Sequence, residues 1–160
     1  MKKIVLIFLL SCIVSCTNVA APGFVEAPLL GVWYLKDTDR PGLVFSQIAY
    51  IHGGKKCEIS MEFNVYGNYS VDYWINTWKV EDGLLISTIE DSSVPYMQKG
   101  ELIVDAIMKL TQDELIVLME ETSDYRPEIE HHLKLNGEDP NLLCSIVERN
   151  LALYHRRTKK

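Results

Sequence analysis

The segment Cys57-Glu58-Ile59-Ser60-Met61-Glu62-Phe63-Asn64-Val65 alternates five apolar residues with four polar ones. An extended strand points successive side chains to opposite faces, so this stretch has one face for burial and one for water. The same period of two runs through the chain until the last twenty residues, with no internal repeat and no second domain boundary. It predicts further strands over Leu30–Lys36, Leu43–Ile51, Leu84–Glu90, Leu102–Leu110, Glu114–Glu120 and Glu128–Leu135. With the two strands of the hairpin around Gly67 these make eight. Short loops between them, such as Thr111-Gln112-Asp113, favour a meander that closes into a barrel.

Register follows the buried face. A three-residue loop Tyr66-Gly67-Asn68 sets Val65 opposite Tyr69, Phe63 opposite Val71 and Met61 opposite Tyr73, whereas a two-residue loop would mix the faces. The same reasoning makes Glu81-Asp82-Gly83 a three-residue loop that pairs Val80 with Leu84 and Trp78 with Ile86. Apolar parity switches between Tyr73 and Trp78, which predicts a bulge near Ile75 to Thr77. On this register Met61, Phe63, Val71 and Tyr73 belong to the inner face, where they either contact a ligand or fill the core. After Leu135 the period changes. Asp139 suits a helix cap and Pro140 a first turn, and Leu142, Leu143, Ile146, Val147, Leu151 and Tyr154 fall on one helical stripe.

The amino terminus carries a different signal. Lys2 and Lys3 precede an apolar run, Ile4 to Leu10, too short to span a bilayer, which takes about 20 residues. This is the layout of a secretory signal. Ile13-Val14-Ser15-Cys16 resembles the bacterial lipobox, which implies cleavage after Ser15 and acylation of Cys16. Cys12 is the rival, but it would leave a signal of only eleven residues. The chain then divides into a lipoprotein signal peptide (1–15), a lipidated Cys and tether (16–28), a folded domain (29–155) and a basic tail (156–160). Thr17 is not the Asp that retains lipoproteins at the inner membrane, so the expected place is the outer membrane, facing the periplasm. Cys57 and Cys144 remain; in an oxidising compartment they form a disulfide or stay as two buried thiols. A bridge would close a loop worth about 4 kcal/mol in the chain-entropy model.

Without Lys2 and Lys3, 14 basic residues stand against 22 acidic ones. Four of the basic residues lie in the tail, at Arg156, Arg157, Lys159 and Lys160. The acidic body argues against a nucleic-acid partner. The tail is either a solvated terminus or a contact for anionic head groups.

Gly31-Val32-Trp33 opens the first strand, ahead of the eight strands and the final helix. This resembles the lipocalins and the small bacterial lipocalin-like lipoproteins, in which a Gly-x-Trp opens the barrel. The resemblance implies an all-β, eight-stranded antiparallel up-and-down barrel with one carboxy-terminal helix. It implies that Gly31 and Trp33 form a structural plug at the closed end, and that small apolar or amphipathic ligands enter at the other. The family also packs an Arg from the last strand over that Trp; here the corresponding region has Lys134, and Arg126 lies at the wrong end.

Chemistry-bearing motifs are sparse. There is no Gly-x-Ser-x-Gly elbow, no His-Glu-x-x-His and no phosphate-cradling Gly loop, so no enzyme activity and no cofactor is expected. His131-His132, with Glu128 and Glu130, is the one local cluster of ligand-type residues. Strand neighbours point apart, so no metal site is expected, and His131 reads as the core or rim residue beside Leu133. His52-Gly53-Gly54-Lys55-Lys56 reads as a flexible basic loop. The leading expectation is a membrane-anchored binding module for a small hydrophobic or amphipathic ligand. The alternative is a filled barrel that engages an envelope protein, as a hydrolase inhibitor or an assembly factor.

Overall fold

A computed structural model describes residues 27–63, 66–119 and 127–159. The signal segment, Cys16, the tether through residue 26, Val65 and Arg126 lie outside them. Eight strands follow in order: β1 (Gly31–Thr38), β2 (Leu43–Ile51), β3 (Lys55–Phe63), β4 (Tyr69–Glu81), β5 (Leu84–Ser92), β6 (Leu102–Leu110), β7 (Glu114–Met119) and β8 (Glu128–Leu135). A single helix, α1 (Pro140–Thr158), ends the chain. Each strand pairs antiparallel with the next, and β8 returns to β1 from Val32↔Leu135 onwards, so the sheet closes and leaves no free edge. The architecture is lipocalin-like, an up-and-down barrel with one helix outside.

Alternation sorts each strand into an inner and an outer face, and the burial of the outer face explains α1. Asp139 caps the helix by accepting from the Asn141 amide at 2.9 Å, and Pro140 starts it where no amide is needed. Leu143, Cys144, Val147 and Leu151 then pack on Val32, Ala49 and Cys57, with Ile59, Tyr73 and Ile75 at the margin. Each such side chain taken out of water contributes about 1.5–3 kcal/mol. Cys57 and Cys144 are joined by a disulfide, which ties the helix to β3. Leu142, part of the expected stripe, points to solvent instead.

The barrel's inner core lies at the end where the chain enters. Trp33 is fully buried there among Leu29, Ile48, Tyr50, Leu85, Leu115 and Val117. Its Nε1 donates to the Leu29 carbonyl at 2.7 Å. Lys134 lies over the ring, with Nζ 5.0 Å from the centroid, and donates to the Pro28 carbonyl at 2.8 Å. Lys134 therefore covers the Trp face, at the place where the lipocalin resemblance implies an Arg. Gly31 is held at φ +123°, and a Cβ there would come within 2.9 Å of Lys134 Cε. No other residue fits that position without strain.

Three register expectations are corrected. Phe63 pairs with Tyr69, Met61 with Val71 and Ile59 with Tyr73, so the β3–β4 loop is two residues longer than expected. Asp82 (φ 51°) and Gly83 (φ 80°) both take left-handed backbone and form a two-residue hairpin turn. That turn pairs Val80 with Leu85 and Trp78 with Ser87. The irregularity near Ile75 and Asn76 exists, but the extra residue sits in β5, because Ile75 pairs with Asp91 and Asn76 with Ile89. β4 itself alternates without a break. It carries large apolar residues on both faces, Trp74 and Trp78 inside and Tyr73 and Ile75 under the helix.

Candidate functional site

With α1 covering the apolar face of β3, the opposite face of that strand turns inwards, and it is polar. Lys56, Glu58 and Ser60 alternate with Cys57, Ile59 and Met61, and all three are buried. The register carries the polar lining around the wall. Tyr50 stands opposite Lys56, which stands opposite Asn76; Ser46 stands opposite Ser60. Ser87 lies on β5, and Asp105, on β6, is opposite Leu85. On β8 the inner positions are Glu128, Glu130 and His132, the last two opposite Val117 and Leu115. Barrel closure therefore turns these ionisable groups into the barrel interior, where the core residues Trp78 and Leu85 stand opposite Ser87 and Asp105.

Inside it, Lys56 Nζ is 3.5 Å from Glu58 Oε2 and 5.8 Å from the Tyr50 ring centroid. Ser46 Oγ donates to Glu58 Oε1 at 3.1 Å. His132 Nε2 and Glu130 Oε2 are 3.0 Å apart. At the mouth, Arg40 in the β1–β2 loop forms an ion pair with Glu62 and approaches Glu128 at 3.9 Å and Glu130 at 4.0 Å. Asp39 Oδ1 accepts from the Ile129 amide at 2.6 Å, which fixes that loop to β8.

Electrostatics follow from this crowding. Burial raises the Asp105 carboxyl to about 6, with Lys56 opposing and Glu130 and Glu58 adding to the rise. Burial likewise raises Glu58, against the pull of Lys56. Burial also works against ionised Glu130, but its hydrogen bond to His132, the charge of that ring, Arg40 and Lys56 outweigh it and hold the group below its ordinary value. Burial opposes the Lys56 charge too, yet Tyr50, Glu58, Asp105 and Glu130 prevail and raise it.

Several inward-facing atoms have no hydrogen-bond partner among the described residues. They are Ser60 Oγ, both side-chain polar atoms of Asn76, Ser87 Oγ, Asp105 Oδ1 and His132 Nδ1. Asn76, Ser87 and His132 are 0% exposed, so bulk water does not satisfy them from outside the wall. Leaving such a group unpaired costs about 1–3 kcal/mol.

The structure brings together residues that the sequence reading kept apart, and separates those it joined. Met61, Phe63, Val71 and Tyr73, expected inside, are on the outer wall. Their parity matches Cys57, and Tyr73 packs at the margin of the helix interface. Val71 and Tyr73 line an outer cleft of about 250 Å³ with Leu153, Tyr154 and Arg157. Phe63 is half exposed and meets Tyr69 edge-on at 6.2 Å. His131 faces outwards against Glu114 Oε1 at 2.8 Å; His132 is the core histidine. Lys56 belongs to β3 and is buried on its inner face, not part of a flexible basic loop. The missed signal was present: charged or polar residues occupy alternate positions on both β3 (Lys56, Glu58, Ser60, Glu62) and β8 (Glu128, Glu130, His132).

No protein-family model matches the chain, and no curated protein does. Among solved structures, a lipocalin-like protein from Bacteroides uniformis is 10% identical, with 68% of this chain and 99% of that one covered and a TM-score of 0.43. An uncharacterized protein from Bacteroides eggerthii is 13% identical, covers 66% and 98%, and has a TM-score of 0.41. Bovine odorant binding protein, in complex with a selenium-containing odorant, is 16% identical, covers 81% and 82%, and has a TM-score of 0.43. Likeness at this level says nothing about what the barrel holds.

Proposed function

We propose that the protein is a lipid-anchored binding barrel of the bacterial envelope, and that its interior takes one small amphipathic molecule through its polar end. The observation that carries this is the set of enclosed polar atoms without partners among the described residues, on Ser60, Asn76, Ser87, Asp105 and His132. A ligand whose polar groups meet them offsets a desolvation penalty that the protein otherwise bears alone. A purely hydrocarbon ligand would sit against Glu58 and Asp105 and leave the same atoms unsatisfied. The ligand class expected from the family thus narrows to its amphipathic half. Anchoring through Cys16, on the outer membrane facing the periplasm, rests on the Ile13-Val14-Ser15-Cys16 motif and on Thr17. The Cys57–Cys144 bridge suits such an oxidising compartment.

The second reading, a module for an envelope protein partner, is favoured by one observation. Phe45, Phe63, Tyr69 and Val71 are exposed together on the outer wall of β2, β3 and β4. Native mass spectrometry of the full chain extracted from membranes separates the two. A co-purifying small molecule that is lost in Asn76→Leu supports the binding barrel. An unliganded chain that co-purifies with a protein, unless Phe63→Ser is present, supports the module. The same spectra read the anchor: Cys16→Ser should lose the acyl mass and leave the membrane fraction, and an unchanged mass and location would remove the anchor from the proposal.

A further inference from the structure

We propose that the outer wall of β5 and β6 is the contact face of a dimer, with a second copy of this chain placed about a two-fold axis that runs along the strands. The proposal does not depend on what the barrel holds. Area, shape and charge support it.

α1 packs on β1, β2, β3 and β4. The rest of the outer wall has no helix over it among the described residues, and it is apolar. Leu84, Ala106, Leu118 and Ile129 stand opposite one another in a single row from β5 to β8. Ile86 and Val104 make the next row, and Thr88 and Leu102 the one after it. None of them is charged. With strands about 4.8 Å apart and a rise of about 3.4 Å per residue, the face from Leu102 to Met108 measures about 20 Å by 15 Å, or roughly 300 Å² in plan. A monomer rarely exposes a larger apolar patch. It suffices for the apolar centre of a standard contact, which buries about 800 Å² on each partner.

A two-fold contact needs a surface that complements itself. Leu102 is 62% exposed and stands beside a hollow of about 380 Å³, which it lines together with Thr77, Trp78, Lys79, Ile86 and Thr88. Leu102 and Thr88 are opposite each other across the β5–β6 pair. An axis along the strands between β5 and β6 exchanges their places, so Leu102 of each copy enters the hollow of the other. Both barrels then point the same way, as two chains tethered through Cys16 to one bilayer would.

The border of the face carries charge that is satisfied within the chain: Lys79 pairs with Glu81, Lys99 with Glu90, and Lys109 and His131 with Glu114. These groups do not call for a charged partner. A wall that rests on lipid carries Trp, Tyr and unpaired basic side chains at its margin, whereas this one is aliphatic. A second copy needs nothing beyond the surface already present.

The test is sedimentation equilibrium of the full chain, extracted from membranes into a density-matched detergent. Wild type should be dimeric at about 10 μM, a strength within reach of a contact of this size. Leu102→Asp, at an exposed position, should weaken association at least tenfold. Ile86→Thr, which trims the apolar face without adding charge, should weaken it about threefold and serves should Leu102→Asp fail to fold. With 14 basic residues against 22 acidic ones in each mature chain, the two copies repel, so raising sodium chloride from about 50 to about 500 mM should strengthen the dimer at least twofold. The opposite salt trend would mark an ion-paired contact and overturn the assignment. So would a dimer that Phe63→Ser dissociates and Leu102→Asp leaves intact, or a chain still monomeric at about 100 μM. For a monomer, a bimane on Leu102→Cys in brominated phosphatidylcholine discs holding one copy each tells what takes the face instead. Quenching would give it to lipid and no quenching to a different protein, and both outcomes exclude the second copy.

Discussion

The two faces of β3 lie one residue apart in sequence and obey opposite rules. Cys57 and Ile59 face outwards, and their burial depends on a separate element, α1, laid over them. Lys56, Glu58 and Ser60 face inwards and are buried although they are polar, because the sheet has curled around them. The outer seal is a hydrophobic interface strengthened by a covalent bond. The inner wall is an electrostatic arrangement in which, among the described residues, one carboxylate has no ion pair and several hydrogen-bonding atoms have no partner. On β3 the apolar stripe therefore marks what the helix covers, whereas on β5 and β7 the apolar residues Leu85, Leu115 and Val117 face inwards and form the barrel's core.

Three measurements press on that contrast. The largest effect belongs to the outer face. Replacing Cys57 and Cys144 by Ser releases a loop with a sequence separation of 87 residues and should cost about 4 kcal/mol in urea unfolding of the oxidised protein. A loss below about 1 kcal/mol would mean that apolar packing alone holds the helix. The inner face should respond with the opposite sign. The folded Asp105 carboxyl sits at about 6, above its ordinary 3.8, so the native state holds that proton more tightly than the unfolded chain. Its contribution is therefore complete below the unfolded value and is lost as the pH rises through the folded one. Asp105→Asn, which cannot ionise, should match wild type near pH 4 and exceed it by about 3 kcal/mol at pH 8 in the unliganded protein. A variant less stable than wild type at pH 8 would show that the carboxylate is well solvated or paired. The smallest effect is expected beyond the helix margin on the outer wall. Phe63→Ser should change stability by no more than about 0.5 kcal/mol, as surface substitutions do, and a larger loss would extend the sealed face past α1.

Strand number, strand order, the helix and its cap were all legible, because alternation and the Asp139-Pro140 start are local signals. The polar inner face was not. Parity alone shows that Met61 and Lys56 lie on opposite faces, but not which of the two the closed sheet encloses. That choice is made at long range, when α1 returns to β2, β3 and β4 and covers the apolar side. The pairing of Trp78 with Ser87 was misjudged for a related reason. Matching apolar with apolar fails on a strand such as β4, where Trp74 and Tyr73 are both sheltered, by different partners. Asp82-Gly83 carried the better signal, since two successive left-handed residues define the tighter turn whatever the faces prefer.

The bonds around Trp33 also have a mechanical consequence. The indole and Lys134 hold the Leu29 and Pro28 carbonyls, so the incoming chain is gripped at the floor of the barrel, while Arg40 and its carboxylates sit at the far rim. A load applied through the amino end enters at that floor and leaves the rim slack. On the anchor proposed at Cys16, that polarity would turn the Arg40 rim away from the fastening, towards water rather than towards a lipid layer.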